Sequence, residues 1–132
     1  MYEYPCKIIR VIDGDTVDVD IDLGFDVWLK KQRIRLYGID TPESRTSDKV
    51  EKVYGLKAKA FVVQHLSQGS TQTLRTRLDK KGKFGRILGE FVIDKTTINA
   101  LLIDQHHAVP YTGQSKDEIA EAHIEKRKYV SV

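Results

Sequence analysis

The chain has 132 residues, 22 basic and 19 acidic side chains for a net charge of +3, and 40% hydrophobic content. These values are ordinary for a globular protein and give the expectation of one domain over residues 1–132 with a core of its own. No apolar run is long enough to span a bilayer as a helix, and the lone Cys6 excludes an internal disulfide framework. The start, MYEYPCKIIR, lacks the basic flank and apolar segment of a signal peptide, which gives the expectation of a cytoplasmic protein.

Residues 6–12 and 15–23 read as two strands around Asp13-Gly14, a favoured hairpin pair. In DGDTVDVDID, residues 13–22, Val17, Val19 and Ile21 share one parity and Asp18, Asp20 and Asp22 the other, the pattern of a half-buried strand with a wet acidic face. Asp15 shares the parity of the valines, so a carboxylate stands on the inward face. After LGFD, a second turn, FDVWLKK and QRIRLYGI are strand-like until Pro42 breaks the ladder. Trp28 is expected to pack over this hairpin; exposed beside Lys30 and Lys31, it would instead suit stacking on nucleic acid.

Asp48 and Glu51 resemble a capping box, and Tyr54, Ala58, Phe61, Val62 and Leu66 follow at helical spacing. Gly55 is expected to delay the helix start, and Gly69 to mark its stop. Residues 71–79 and 86–94 read as another strand pair, Ile98 to His106 as a short helix, and Ser115 with Glu118 as the cap of a terminal helix over 116–128. About five strands, a helix after the third and more helix at the end predict an α+β, mainly β fold: a five-stranded Greek-key barrel of the oligonucleotide-binding (OB) type with about three helices.

An inward acid needs a cation. Asp40 and Glu43 of GIDTPES offer further carboxylates, and with no Cys or His nearby they form a hard-oxygen set suited to Ca²⁺ or Mg²⁺. Arg33, Arg35 and Arg86 supply planar forks that grip phosphate oxygens. The basic runs LKKQRIR and DKKGKFGR add to the expectation of a polyanionic partner. Acids for a metal and arginines for a phosphate point to metal-assisted phosphodiester hydrolysis, provided the chain bends near Gly38, because Arg35 and Asp40 differ in strand parity. A non-catalytic OB-fold module that binds nucleic acid is the alternative. His65, His106, His107 and His123 show no metal spacing and read as helix surface or core.

The order VIDGDT, RLYGIDTPE, a helix, then KFGR resembles the staphylococcal-type nuclease (thermonuclease) family over about Lys7 to Tyr111. The resemblance implies a Ca²⁺-dependent endonuclease acting on DNA and RNA and leaving 3′-phosphate ends; separately, no exposed apolar heptad or other oligomer signal is visible, which gives the expectation of a monomer. The resemblance implies Asp15, Asp40 and the backbone carbonyl of Thr41 as metal ligands. Arg35 and Arg86 would hold the scissile phosphate, and Glu43 would order or activate the attacking water. Lys83, Phe84 and Tyr111 would contact the bound nucleotide. Phe84 stands where the family commonly has Tyr, keeping a stacking face but losing a hydroxyl donor. The hairpin before Arg35 is longer than in the staphylococcal enzyme.

Overall fold

The computed structural model describes residues 2–81 and 86–131, with side chains for all of these except residues 78–81. Its elements are β1 (Tyr2–Asp13), β2 (Thr16–Asp22), β3 (Trp28–Leu36), β4 (Ile39–Asp40), α1 (Lys49–His65), β5 (Thr71–Lys81), β6 (Ile87–Ile93), β7 (Thr96–Thr97), α2 (Ile98–Asp104), β8 (Val109–Pro110) and α3 (Lys116–Arg127). The main sheet runs β3-β2-β1-β5-β6-β7, and parallel pairing of Ile34 with Ile87 through Leu36 with Gly89 joins β3 to β6. That junction closes five strands into the expected OB-type barrel.

Strand alternation builds the interior. Val17, Val19 and Ile21 are buried with Ile8, Ile34, Leu36, Leu74 and Phe91, while Asp18 and Asp20 take the outer face with Arg33 and Lys30 as ion-pair partners. The two strand-like pieces before Pro42 form one strand, β3, with a register irregularity opposite Val19–Ile21 and a left-handed Lys31 (φ 55°). The first hairpin turns at Gly14-Asp15, not at Asp13-Gly14, because Asp13 pairs with Thr16.

Trp28 departs from expectation. It is 40% exposed, and Leu23, Phe25, Val27 and Leu29 are exposed as well, so both faces of the hairpin end meet solvent. The physical reason is position: β3 pairs with β6 only from Ile34 onward, which leaves the hairpin end beyond the barrel. Its indole is covered in part by Lys30, whose Nζ lies 5.3 Å from the ring centroid.

Helix α1 starts before Gly55, not after it. Asp48 caps it by accepting from the N–H groups of Val50 and Glu51. Gly55 is tolerated inside the helix because it is packed against the chain: a Cβ there would lie 2.2 Å from the carbonyl oxygen of Glu43. Val62 and Leu66 then join the barrel core, and Ala58 is buried beside Gly14. Helix α3 begins at its Ser115 cap as expected, but it has no fully buried residue.

Gly55→Ala is expected to push α1 and the Glu43 segment apart, at a cost of about 1–3 kcal/mol for overpacking. The measurement is urea denaturation, with a lowered midpoint at unchanged slope as the expected result.

Candidate active site

The tight turn at the start of β2 points Asp15 inward. It is only 8% exposed, and its Oδ2 accepts from the Thr41 backbone N–H at 3.3 Å. Gly14 allows this closeness, since a Cβ there would come within 2.9 Å of both Thr41 Oγ1 and the Ala58 side chain. Arg35 arrives from β3, opposite Thr16. After Leu36 the chain turns at Gly38 (φ 77°) and forms β4, which pairs with β8 through Ile39–Pro110 and Asp40–Val109. The bend required by strand parity is therefore present.

The result is an arginine set between two acids. Arg35 Nη1 lies 3.5 Å from Asp15 Oδ2, and Nη2 lies 3.4 Å from Asp40 Oδ1. Glu43 is close enough to Asp13, Asp15 and Asp40 to feel all three charges. Its backbone N–H donates to Glu51 Oε2 at 3.0 Å. The expected capping box is thus half formed: Asp48 caps α1, while Glu51 is diverted to hold the Glu43 segment.

Crowding sets the electrostatics. Partial desolvation first, then the charges of Asp13 and Asp15, push the Glu43 carboxyl up to about 7. Burial raises Asp15 as well, against the opposing pull of Arg35, with Asp40 and Asp13 adding to the rise.

An open cleft of about 680 Å³ lies over these groups, lined by Arg35, Asp40, Thr41, Glu43, Arg86 and Tyr111 among others. The structure brings Asp15, Arg35, Asp40, Thr41, Glu43, Arg86 and Tyr111 to this one region. Tyr111 is 44% exposed at the cleft, not covered by α3. Lys83 and Phe84 lie outside the described residues. Asp13 and Glu51 belong to the site although the sequence reading passed over them.

His123 does too, since its Nε2 lies 2.7 Å from Asp40 Oδ2. The other histidines fit their structural reading: His65 and His107 pack on Phe61, and His106 stacks on Tyr129.

The donor set suits a hard divalent cation. It is all oxygen apart from His123, and Asp13, Asp15 and Asp40 all lie near enough to Glu43 to act on its charge. Among the described residues, no three of these side chains converge closely enough to form a ready-made metal cluster. Arg35 occupies the space between the two acids that a cation would share.

The staphylococcal nuclease homologue family matches residues 33–129, a span that holds Arg35, Asp40, Glu43 and Arg86. This chain belongs to that family. A thermonuclease of Staphylococcus hyicus is 33% identical over 134 residues, covering 96% of this chain and 74% of its own length. A thermonuclease of Staphylococcus intermedius is 41% identical over 81 residues, covering 60% of this chain and 43% of its own length. The endonuclease YhcR of Bacillus subtilis is 27% identical over 83% of this chain, which spans 9% of that protein.

For this member of the nuclease family, the raised Glu43 predicts a pH dependence. In the metal-free protein its folded value, about 7, lies above the ordinary 4.5, so the native state keeps a proton that the unfolded chain has released. That stabilising contribution is present below about 4.5 and is lost as pH rises through about 7. Melting temperature in chelator is expected to fall over this window, and Glu43→Gln to flatten the fall.

Proposed function

We propose that the chain is a Ca²⁺-dependent nuclease that hydrolyses phosphodiester bonds of DNA and RNA and leaves 3′-phosphate ends. The observation that carries this reading is the convergence of Arg35, Arg86 and a crowded carboxylate set on one open cleft. The family membership and the thermonuclease and endonuclease relatives support hydrolysis over binding alone.

In this reading Asp15, Asp40 and the carbonyl of Thr41 hold the metal. Bound there, Ca²⁺ supplies hard positive charge next to the phosphate oxygens. Glu43, beside those acids on the same cleft, is placed to take a proton from water as that water attacks phosphorus. Arg35 and Arg86 grip the non-bridging oxygens and offset the charge that builds as the 5′-oxygen departs. Arg35 would exchange its contacts with Asp15 and Asp40 for the phosphate, leaving those acids to the cation. Tyr111 lines the cleft where a nucleotide base or sugar would lie, and Lys83 and Phe84 complete the proposed substrate contacts. The enzyme acts as a monomer in this proposal.

The test is cleavage of single-stranded DNA, duplex DNA and RNA with millimolar Ca²⁺, with Mg²⁺ or with chelator. Cleavage is expected only where the metal is supplied, and Arg35→Ala and Arg86→Ala are each expected to slow it roughly 10²–10³-fold. End labelling after phosphatase treatment reads the 3′-phosphate. Salt-dependent binding of the same DNA without cleavage would replace this reading by the non-catalytic OB-fold module.

Loop-borne calcium sites reach Kd values of about 10⁻⁴–10⁻³ M. In the proposed cytoplasmic setting the enzyme would therefore idle until calcium rises. A titration of free Ca²⁺ against rate is expected to show half-activation in that range, and full activity below micromolar calcium would refute it.

A further inference from the structure

Asp40 is held by a residue that none of the sequence motifs contains. It ends β4, a two-residue strand that pairs with β8 and buries Ile39 in the core, and the chain beyond it is irregular up to Asp48. So short a strand does little to orient a carboxylate. The orientation falls to side chains, and among the described residues Arg35 and His123 contact Asp40. Arg35 Nη2 approaches Oδ1 at 3.4 Å, and His123 Nε2 approaches Oδ2 at 2.7 Å.

The two contacts differ in kind. The one to Arg35 is long, and in the reading above it is given up when Arg35 turns to a phosphate. The one to His123 is short and sheltered, because the imidazole is only 11% exposed on a helix that buries no residue completely. A carboxylate oxygen accepts, so Nε2 carries the donated proton; a neutral imidazole in that tautomer is sufficient. Helix α3 also lays Lys116, Ile119, Ala120, Ile124 and Arg127 along the same cleft, so His123 joins this wall to the acid across it.

We propose that His123 is a positioning residue for the metal site: it ties down the outer oxygen of Asp40 and so presents Oδ1 to the cation. The proposal rests on the reading of Asp40 as a metal ligand. Carboxylate ligands are themselves commonly oriented by a hydrogen bond, and loss of such a partner typically costs about 10–100-fold in metal affinity. His123 also ties α3, a weakly packed element, to metal occupancy, since displacing the helix would remove the brace.

The experiment measures Ca²⁺ binding by calorimetry and Tb³⁺ luminescence on the full chain and on His123→Ala, His123→Gln and His123→Asn. Gln places an amide nitrogen about where Nε2 lies, and Asn falls short. The expected result is affinity about 10–100-fold weaker in Ala and Asn and largely restored in Gln. Melting in chelator should change little, because α3 contributes no core residue.

Unchanged Ca²⁺ affinity in His123→Ala would overturn the proposal and leave the metal reading intact. A drop in melting temperature with unchanged affinity would overturn it too, and would assign His123 to holding α3. If the unaltered chain binds neither ion, the metal reading itself fails and the proposal falls with it.

Discussion

The site depends on carboxylates held closer than their charges favour. Asp13, Asp15, Asp40 and Glu43 come from a tight turn, the end of a two-residue strand and an irregular segment, and burial together with the neighbouring carboxylates raises the cost of ionising Asp15 and Glu43. Arg35 lies between Asp15 and Asp40 and relieves part of that repulsion. In the proposed function a metal ion would add to that relief while Arg35 turned to a phosphate. Metal and substrate would then be linked through a single guanidinium.

The barrel serves this arrangement by close approach of backbone. Gly14 lets the first turn sit against Thr41, and Gly55 lets α1 sit against the carbonyl of Glu43. Glu51, one turn into that helix, then holds the Glu43 N–H. The segment carrying Asp40, Thr41 and Glu43 has little regular structure, and it is placed by contacts on both sides. Its rigidity is borrowed from β2 and α1, which have cores to anchor them. On the far side α3 is anchored mainly by polar contacts, including those of His123 to Asp40 and of Lys126 to Ile103 O. The cleft therefore has one firm wall and one held by side chains.

The hairpin end shows the opposite economy. Phe25, Val27 and Trp28 gain nothing from the core, since the strand pairing that would cover them begins only at Ile34. The sequence led to the expectation that Trp28 packs over the hairpin. That expectation failed because burial needs a neighbouring layer as well as an alternating pattern.

Local chemistry determined much of this protein. Alternation over 13–22 fixed which residues of β2 face inward, and the anomalous parity of Asp15 marked the site. Asp48 and Ser115 set two helix starts, since a cap is decided within a few residues. The motifs around Asp15, Asp40 and Arg86 carried the family resemblance. Tertiary structure decided what depends on distant partners. That Gly55 lies inside a helix follows from a carbonyl twelve residues away, and Glu51 leaves its own cap for the same segment. His123 has no spacing that predicts a role, because its partner lies 83 residues earlier and meets it only once β4 pairs with β8. A sequence records what a residue can do with its neighbours along the chain; the fold decides which charges must share one cleft.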